Sequence, residues 1–316
     1  MIGRLLAPWL LRRRAGRPAR LDARISIGMA AHGNAATTRA ALEALFASAS
    51  GDFELILVDD CSPDDVLAVY RDAAAWHANT RIYRFPENLE YGQSVNAFLS
   101  QAKGELLFFL SNDVFANPTY LRELLRAAAA HPDCGILRGC SNYVDNSSPL
   151  HNVAVPPFGE KRELFAFSAG LAAAQRASAP VDERFLVGDA FLVKRAVLER
   201  IGGFDTRFVG YCGDLDFGLR AQIAGFRVVL VRSAFAYHEK FANAAWLSPE
   251  AQRAKAEARL AKLAAASRAF LEKYPVHIVD GTVHDLPWED LARQPFDAAR
   301  HYVAPLDYGR YELPRA

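Results

Sequence analysis

Cysteine is scarce in this chain: four in 316 residues, at Cys61, Cys134, Cys140 and Cys212, with no C-x-x-C pair among them. That excludes a small disulfide-stapled scaffold and the usual zinc-finger spacings, and it fits a reducing compartment such as the cytoplasm. Long apolar runs are also missing. The longest, residues 2–11, is interrupted by Arg4 and Pro8, well short of the roughly 20 residues that span a bilayer. Its basic cluster follows the apolar part instead of preceding it, so a secretory signal is not expected. Net charge is nearly absent, 37 basic side chains against 36 acidic, which removes the electrostatic footprint of a nucleic-acid binder. There is no G-x-G-x-x-G after the first apolar run, which argues against a Rossmann dinucleotide site.

What is present is an alternation. Apolar runs of four to six residues at 25–29, 54–58, 81–85, 106–110 and 228–231 are separated by stretches of helical period at 37–49, 94–102, 118–131 and 214–224. In the first of these helices Leu42, Leu45, Phe46 and Ala49 share one face. Ser62, Pro63, Asp64 and Asp65 read as an N-cap, a proline at the first position and acids in the first turn of a helix running to about residue 79. Gly225 reads as a C-cap. Such a chain folds as α/β, a mostly parallel central sheet flanked by helices. Three segments are expected: a basic and apolar stretch at 1–24, a main domain at 25–248, and a C-terminal helix (249–273) with a wrapping tail to 316. Residues 140–185 lack clear periodicity and read as a long loop over the site.

In open parallel sheets ligands bind beyond the carboxyl ends of the strands. Two such ends carry acids here: residues 54–58 run into Asp59 and Asp60, and residues 106–110 run into Ser111, Asn112 and Asp113. Carboxylates there suit a sugar hydroxyl, a base N–H or an oxygen-ligated divalent cation. Asp214 and Asp216 open a further helix, and His238 follows the last strand. Each has an ordinary structural explanation taken singly: a turn former, an acid favoured by the helix dipole, a surface histidine.

Their order and spacing are more specific. Residues 53–62 (FELILVDDCS), then Asn88, Gly92 and Asn96, then 104–113 (GELLFFLSND), 201–205 (IGGFD) and 214–226 (DLDFGLRAQIAGF) resemble the family 2 glycosyltransferases, inverting enzymes of the GT-A fold. The resemblance covers about residues 25–238. It implies a nucleoside diphosphate sugar as donor, with Asp60 on the nucleotide base, Asp59 beside it, and the loop Ala30 to Asn34, including His32, lining the pocket. Asn96 and Asn112 fall in the motifs counted with the donor site. Asp113 matches the last acid of the D-x-D element and would hold Mn²⁺ or Mg²⁺, with His238 completing the metal site. Asp214 matches the base that deprotonates the acceptor hydroxyl, and Asp216 is the fallback. The sequence departs from the pattern twice. Ser111 replaces the first acid of D-x-D, favouring a cation shared mainly with the diphosphate, and Gly213 replaces the glutamate that commonly precedes the base.

Two rival readings remain. A sugar nucleotidyltransferase would want a Gly-rich basic loop after the first strand, where residues 30–35 read AAHGNA, and a non-catalytic sugar-nucleotide sensor finds its support in Gly213. The resemblance points to a glycan or lipid-linked acceptor, and bacterial relatives of this size often build surface polysaccharides. The charge is also unevenly placed: seven arginines against Asp22 give residues 1–24 a net +6, leaving −5 for the rest. Ile2, Leu5, Leu6, Trp9 and Leu10 ahead of that cluster suit residues 1–20 to the interface of an anionic membrane, which would make the protein peripheral on the inner face of the cell membrane, or else to a solvated tail or docked helix.

Overall fold

The computed structural model describes residues 17–144, 151–239, 248–276 and 286–314. Most of the membrane-facing segment expected at residues 1–20 therefore lies outside the described residues.

The elements run β1 (Ala19–Leu21), β2 (Ile25–Ala31), α1 (Ala35–Ser48), β3 (Ala49–Gly51), β4 (Glu54–Asp59), α2 (Val66–Trp76), β5 (Thr80–Arg84), α3 (Glu90–Gln101), β6 (Leu106–Ser111) and β7 (Val114–Phe115). They continue with α4 (Pro118–Ala130), β8 (Cys134–Cys140), α5 (Lys161–Gln175), β9 (Val181–Asp182), β10 (Ala190–Lys194), α6 (Arg195–Ile201), α7 (Gly213–Ile223), β11 (Arg227–Phe235), β12 (Tyr237–His238), α8 (Pro249–Lys273), α9 (Trp288–Ala292) and α10 (Ala298–His301). The main sheet has the order β5-β4-β2-β6-β10-β8-β11-β9. β5, β4, β2 and β6 are mutually parallel, and β10 runs against both of its neighbours. The central strands are buried along nearly their whole length because helices cover both faces, which is why their apolar runs do not alternate. One core joins α1, α2 and α4 to the sheet, and the other joins α3, α6 and α7. Gly28 lets α3 lie close: a Cβ there would clash with the Phe98 ring.

Three sequence expectations need correction. Residues 140–185 contain the fifteen-residue helix α5 and the strand β9. The buried side of α5 is Leu164, Ser168 and Ala172, and small or polar residues at core positions hide its period. Ser168 sits there because its hydroxyl donates to Asn117 Oδ1 (2.9 Å) and to the Phe235 carbonyl (3.2 Å). Ser62 and Asp64 do not cap their own helix, which begins at Val66 without a side-chain cap. They serve the loop after β2 instead: Ser62 Oγ accepts from Gly33 N–H (2.9 Å) and Asp64 Oδ2 from Ala35 N–H (2.8 Å). That helix also stops at Trp76, short of residue 79.

The C-terminal residues fold onto the domain. Much of α8 is exposed, but Ala266, Phe270 and Tyr274 pack with Leu215, Leu219 and Ile223 of α7 and with Trp288 and Leu291 of α9. Lys273 Nζ reaches Asp216 (2.6 Å) and Asp205 (2.9 Å), and Tyr274 Oη donates to Asp216 Oδ1 (2.8 Å). Beyond this, Val303 bridges to Gly202 and Glu312 to Tyr83. No helix among the described residues is long and apolar enough to cross a membrane, and no disulfide joins their cysteines.

Removing Lys273 would leave two buried carboxylates without their shared cation. Lys273→Met is expected to cost about 3–5 kcal/mol of stability, read from urea unfolding. Burial acts to raise the Asp205 carboxyl, but Arg207 and Lys273 outweigh it and hold it well below its usual range. Its contribution is therefore full above the unfolded pKa near 4 and is lost as pH falls below it. The acid dependence of stability should be smaller in the variant.

Candidate active site

The register of the parallel strands sets the site. Ala31 lies opposite Asp59, and Ala30 opposite Ser111, so the ends of β2, β4 and β6 form one edge. At that edge Asp60 is 3% exposed. Its N–H donates to the Ala31 carbonyl, and its Oδ1 accepts from Leu89 N–H (2.7 Å). His32 is exposed and donates from Nδ1 to the Asp60 carbonyl (2.6 Å). Burial pushes the Asp60 carboxyl up from its ordinary value, with the Leu89 N–H and His32 opposing. Ala30, His32 and Asp60 thus share a rim with one acidic group.

A second group forms where β12 pairs antiparallel with β7. His238 lies opposite Val114, and Glu239 N–H donates to the Asp113 carbonyl (2.8 Å). The pairing brings His238 Nε2 to 3.4 Å from Asp113 Oδ1. Behind the ring, Nδ1 donates to the Tyr143 carbonyl (3.0 Å), with Asp189 Oδ2 at 3.5 Å, while Asn142 holds the His238 backbone through both its side-chain atoms. Asp189 is in turn paired with buried Arg138 (3.1 Å). Burial would lower the His238 pKa, but Asp113 and Asp189 outweigh it and push it up to about 10. Burial likewise acts to raise Asp189, and Arg138 and His238 hold it below its usual value.

A carboxylate facing an imidazole whose far nitrogen is fixed by a carbonyl and a second acid is a donor set that fits a divalent cation. Among the described residues no group of three or more His, Cys, Asp and Glu side chains converges as a metal cage. A cation here would complete its coordination with substrate oxygens and water.

Asp214 stands in the first turn of α7. Its Oδ2 accepts from Gly188 N–H (2.9 Å) and its Oδ1 from Leu215 N–H (3.0 Å). The Gly188 carbonyl accepts from Tyr91 Oη (2.6 Å). Burial raises the Asp214 carboxyl above its usual value, and the two N–H donors oppose the rise. Gly188 thus orients the Asp214 carboxyl. Because Gly188 holds Asp214 and Asp189 stands behind His238, one peptide unit joins the two groups.

A profile of Glycosyl transferase family 2 matches residues 26–202, more than half of the chain. The chain belongs to glycosyl transferase family 2. Among curated relatives, the O-antigen biosynthesis protein RfbC of Myxococcus xanthus is 30% identical over 165 residues, 48% of this chain and 12% of that one. The N-acetylglucosaminyl-diphospho-decaprenol L-rhamnosyltransferase of Mycobacterium tuberculosis is 28% identical over 212 residues, 59% of this chain and 66% of that one. In both, the match spans less than two thirds of the relative. Among solved structures, the mannosyltransferase PcManGT from Pyrobaculum calidifontis, in complex with GDP-Man and Mn²⁺, superposes with a TM-score of 0.52 at 18% identity, over 90% of this chain and 84% of that one. The fold is of the GT-A type.

Within this family 2 chain the residues singled out from the sequence divide. Asp60, His32 and Ala30 gather at one rim, and Asp113 with His238 at another, Asp214 being tied to the latter through residues 188–189. The others are used inside the protein. Asp59 accepts from Ser62 N–H (2.8 Å) and pairs with the Arg84 guanidinium. Asn96 clasps the Phe204 backbone with both side-chain atoms (2.7 and 2.9 Å), and Asn112 Nδ2 donates to Thr38 Oγ1 (2.8 Å) and to the Gly33 carbonyl (3.3 Å). Asp216 is fully buried against Arg220, Lys273 and Tyr274, which removes it as a fallback base.

Sequence reasoning missed Arg138, Gly188 and Tyr91. A charged residue inside the apolar run of β8 is the one signal that could have pointed to Arg138.

A Cβ at Gly188 would overlap the Tyr91 hydroxyl and crowd Asp214. Gly188→Ala is expected to cost about 1–3 kcal/mol in thermal or urea unfolding, and adding Tyr91→Phe should recover part of it. Full stability in the single variant would contradict this packing.

Proposed function

We propose that this protein is an inverting glycosyltransferase that moves a sugar from a nucleoside diphosphate sugar to a hydroxyl of a glycan or lipid-linked acceptor. The observation that carries this is the arrangement about residues 188–189: an oriented, half-buried carboxylate at Asp214 on one side and the Asp113–His238 pair on the other. The O-antigen and decaprenol-linked activities in the relatives' names favour a polysaccharide-type acceptor, and the GDP-Man and Mn²⁺ bound by the structural neighbour favour a metal-assisted nucleotide-sugar donor.

The nucleoside would lie along the rim of Ala30, His32 and Asp60, with the Asp60 carboxylate accepting a base N–H. The diphosphate would then reach the Asp113 and His238 end of the site. Mn²⁺ or Mg²⁺ held there would supply Lewis-acid stabilisation of the negative charge on the departing phosphate. Asp189 and the Tyr143 carbonyl fix the imidazole so that Nε2 faces Asp113. Asp214 removes the acceptor proton as the new C–O bond forms on the face opposite the leaving group, and configuration at the anomeric carbon inverts. General-base assistance of this kind is worth roughly 10²- to 10⁴-fold. Such an acceptor places the enzyme in the cytoplasm at the inner face of the cell membrane, with residues 1–20 as a contact to anionic lipid.

Purified protein with Mn²⁺ or Mg²⁺ should be thermally stabilised by one donor of a nucleotide-sugar panel and should hydrolyse it slowly; silence across the panel would overturn the reading. Asp214→Asn should keep donor affinity in calorimetry while transfer falls by at least about 100-fold. His238→Ala should weaken the metal dependence of donor binding, and an unchanged metal titration would remove His238 from the site.

A further inference from the structure

A groove apart from the carboxylates lies between β1 and the start of α4 and α5. It encloses about 740 Å³, and four of its lining residues are arginines: Arg17, Arg20, Arg122 and Arg162. All four are exposed, and no lining residue carries a carboxylate. Three separate elements supply them. Arg20 is the outward residue of β1, Arg122 lies in α4 and Arg162 in α5. Arg122 is held in place, donating from Nη1 to the Arg17 carbonyl (3.0 Å) and from Nη2 to Thr119 Oγ1 (3.3 Å). Glu160, just outside, pairs with Arg162 at 3.1 Å and offsets one of the four charges. Between the arginines the wall is apolar, with Phe165 and Pro118 its bulkiest members.

We propose that this groove is a binding site for the phosphate headgroups of anionic phospholipid, seating the folded domain on a membrane surface. Charge complementarity argues for the anion: a net-positive, acid-free groove on a body that is otherwise negative attracts phosphate at close range. The apolar wall argues for a lipid rather than a free anion, since half-buried Phe165 and exposed Ala166 and Ala169 offer an apolar surface beside the guanidiniums, as at an interface between headgroups and acyl chains. Chain continuity agrees. The groove begins at Arg17, which follows the apolar run 2–11 and Arg12, Arg13 and Arg14 in the sequence. Its wall also lies near the chemistry, because Pro118 is five residues after Asp113 and five residues reach at most roughly 17 Å. Binding itself does not depend on the glycosyltransferase reading and can fail or succeed separately from it.

The test is partition of the full-length protein onto phosphatidylcholine vesicles with and without phosphatidylglycerol, comparing wild type with Arg20→Glu/Arg162→Glu. Both positions are exposed, and an unchanged melting temperature would verify folding; Arg20→Lys/Arg162→Lys provides a charge-preserving control. The double charge reversal should reduce partition onto the anionic vesicles by at least about tenfold, the lysine pair should restore most of it, and nucleotide-sugar hydrolysis in solution should be unchanged. Undiminished partition, with loss appearing only in Arg12→Ala/Arg13→Ala/Arg14→Ala, would assign membrane contact to the upstream segment and overturn the groove. Thermal stabilisation of wild type by inorganic phosphate, without any vesicle binding, would make it a soluble-anion site and overturn the membrane assignment.

Discussion

Two charges with no access to water organise this molecule. Asp216 and Arg220, one turn apart on α7, are both completely buried, and an unpaired charge in that position would cost several kcal/mol. Their partners therefore have to be brought to them. Arg220 reaches the Ile201 carbonyl (2.7 Å) and the Gly203 carbonyl (2.6 Å), fixing the turn after α6, while Asp216 draws in Lys273 and Tyr274 from the end of α8. The turn held by Arg220 continues into Phe204, whose backbone is clasped by Asn96 of α3. That same helix carries Tyr91, which donates to the carbonyl of Gly188, the residue that orients Asp214. A chain of short polar contacts thus runs from the C-terminal helix to the carboxylate proposed as the base. The C-terminal helix is part of how the site is held.

Five strands of the main sheet, β2, β4, β5, β6 and β11, were legible from the sequence because apolar runs and helical periods alternate there, whereas β8, β9 and β10 were not read. The edge that carries the chemistry was legible for the same reason, since parallel strands put Asp60 and Asp113 on one side whatever the details. Position within a motif did not reveal which motif residues are committed inside the protein. Asp59 and Asp60 are neighbours, yet one is neutralised by Arg84, twenty-five residues away, and the other faces the rim. Asp214 and Asp216 differ in the same way, and the deciding partner of Asp216 is Lys273, at the end of an Ala-rich helix whose weak pattern gives no hint of it. Such partners are non-local, and periodicity reports only local geometry.

The helix at Lys161–Gln175 was hidden for a complementary reason. Its core-facing positions include Ser168 and Ala172, which contribute little apolar signal, because the surface they meet is partly polar: Asn117 caps α4 and also receives the Ser168 hydroxyl. A helix that docks through hydrogen bonds to a neighbouring cap need not be strongly amphipathic. Its exposed side supplies Arg162 to the basic groove, so a segment that read as featureless contributes to that surface.

The carboxyl pKa values near the site are pushed in opposite directions, and the division follows from one difference in partners. Asp189 and Asp214 both suffer burial, which opposes ionisation. Asp189 faces Arg138 and His238 and is held below its ordinary value, so it remains a fixed anion behind the imidazole. Asp214 receives only backbone N–H groups, which weaken but do not cancel the effect of burial, and its pKa rises. A general base works best when its pKa approaches the working pH without exceeding it. A carboxylate raised by burial and restrained by two amide donors moves in that direction, whereas one locked to a guanidinium moves away from it. Asp216 is held instead in buried ion pairs with Arg220 and Lys273. Among the carboxylates around residues 188–189, Asp214 is therefore the one whose surroundings suit the proposed role of base, and Asp189 the one that stands behind the ring.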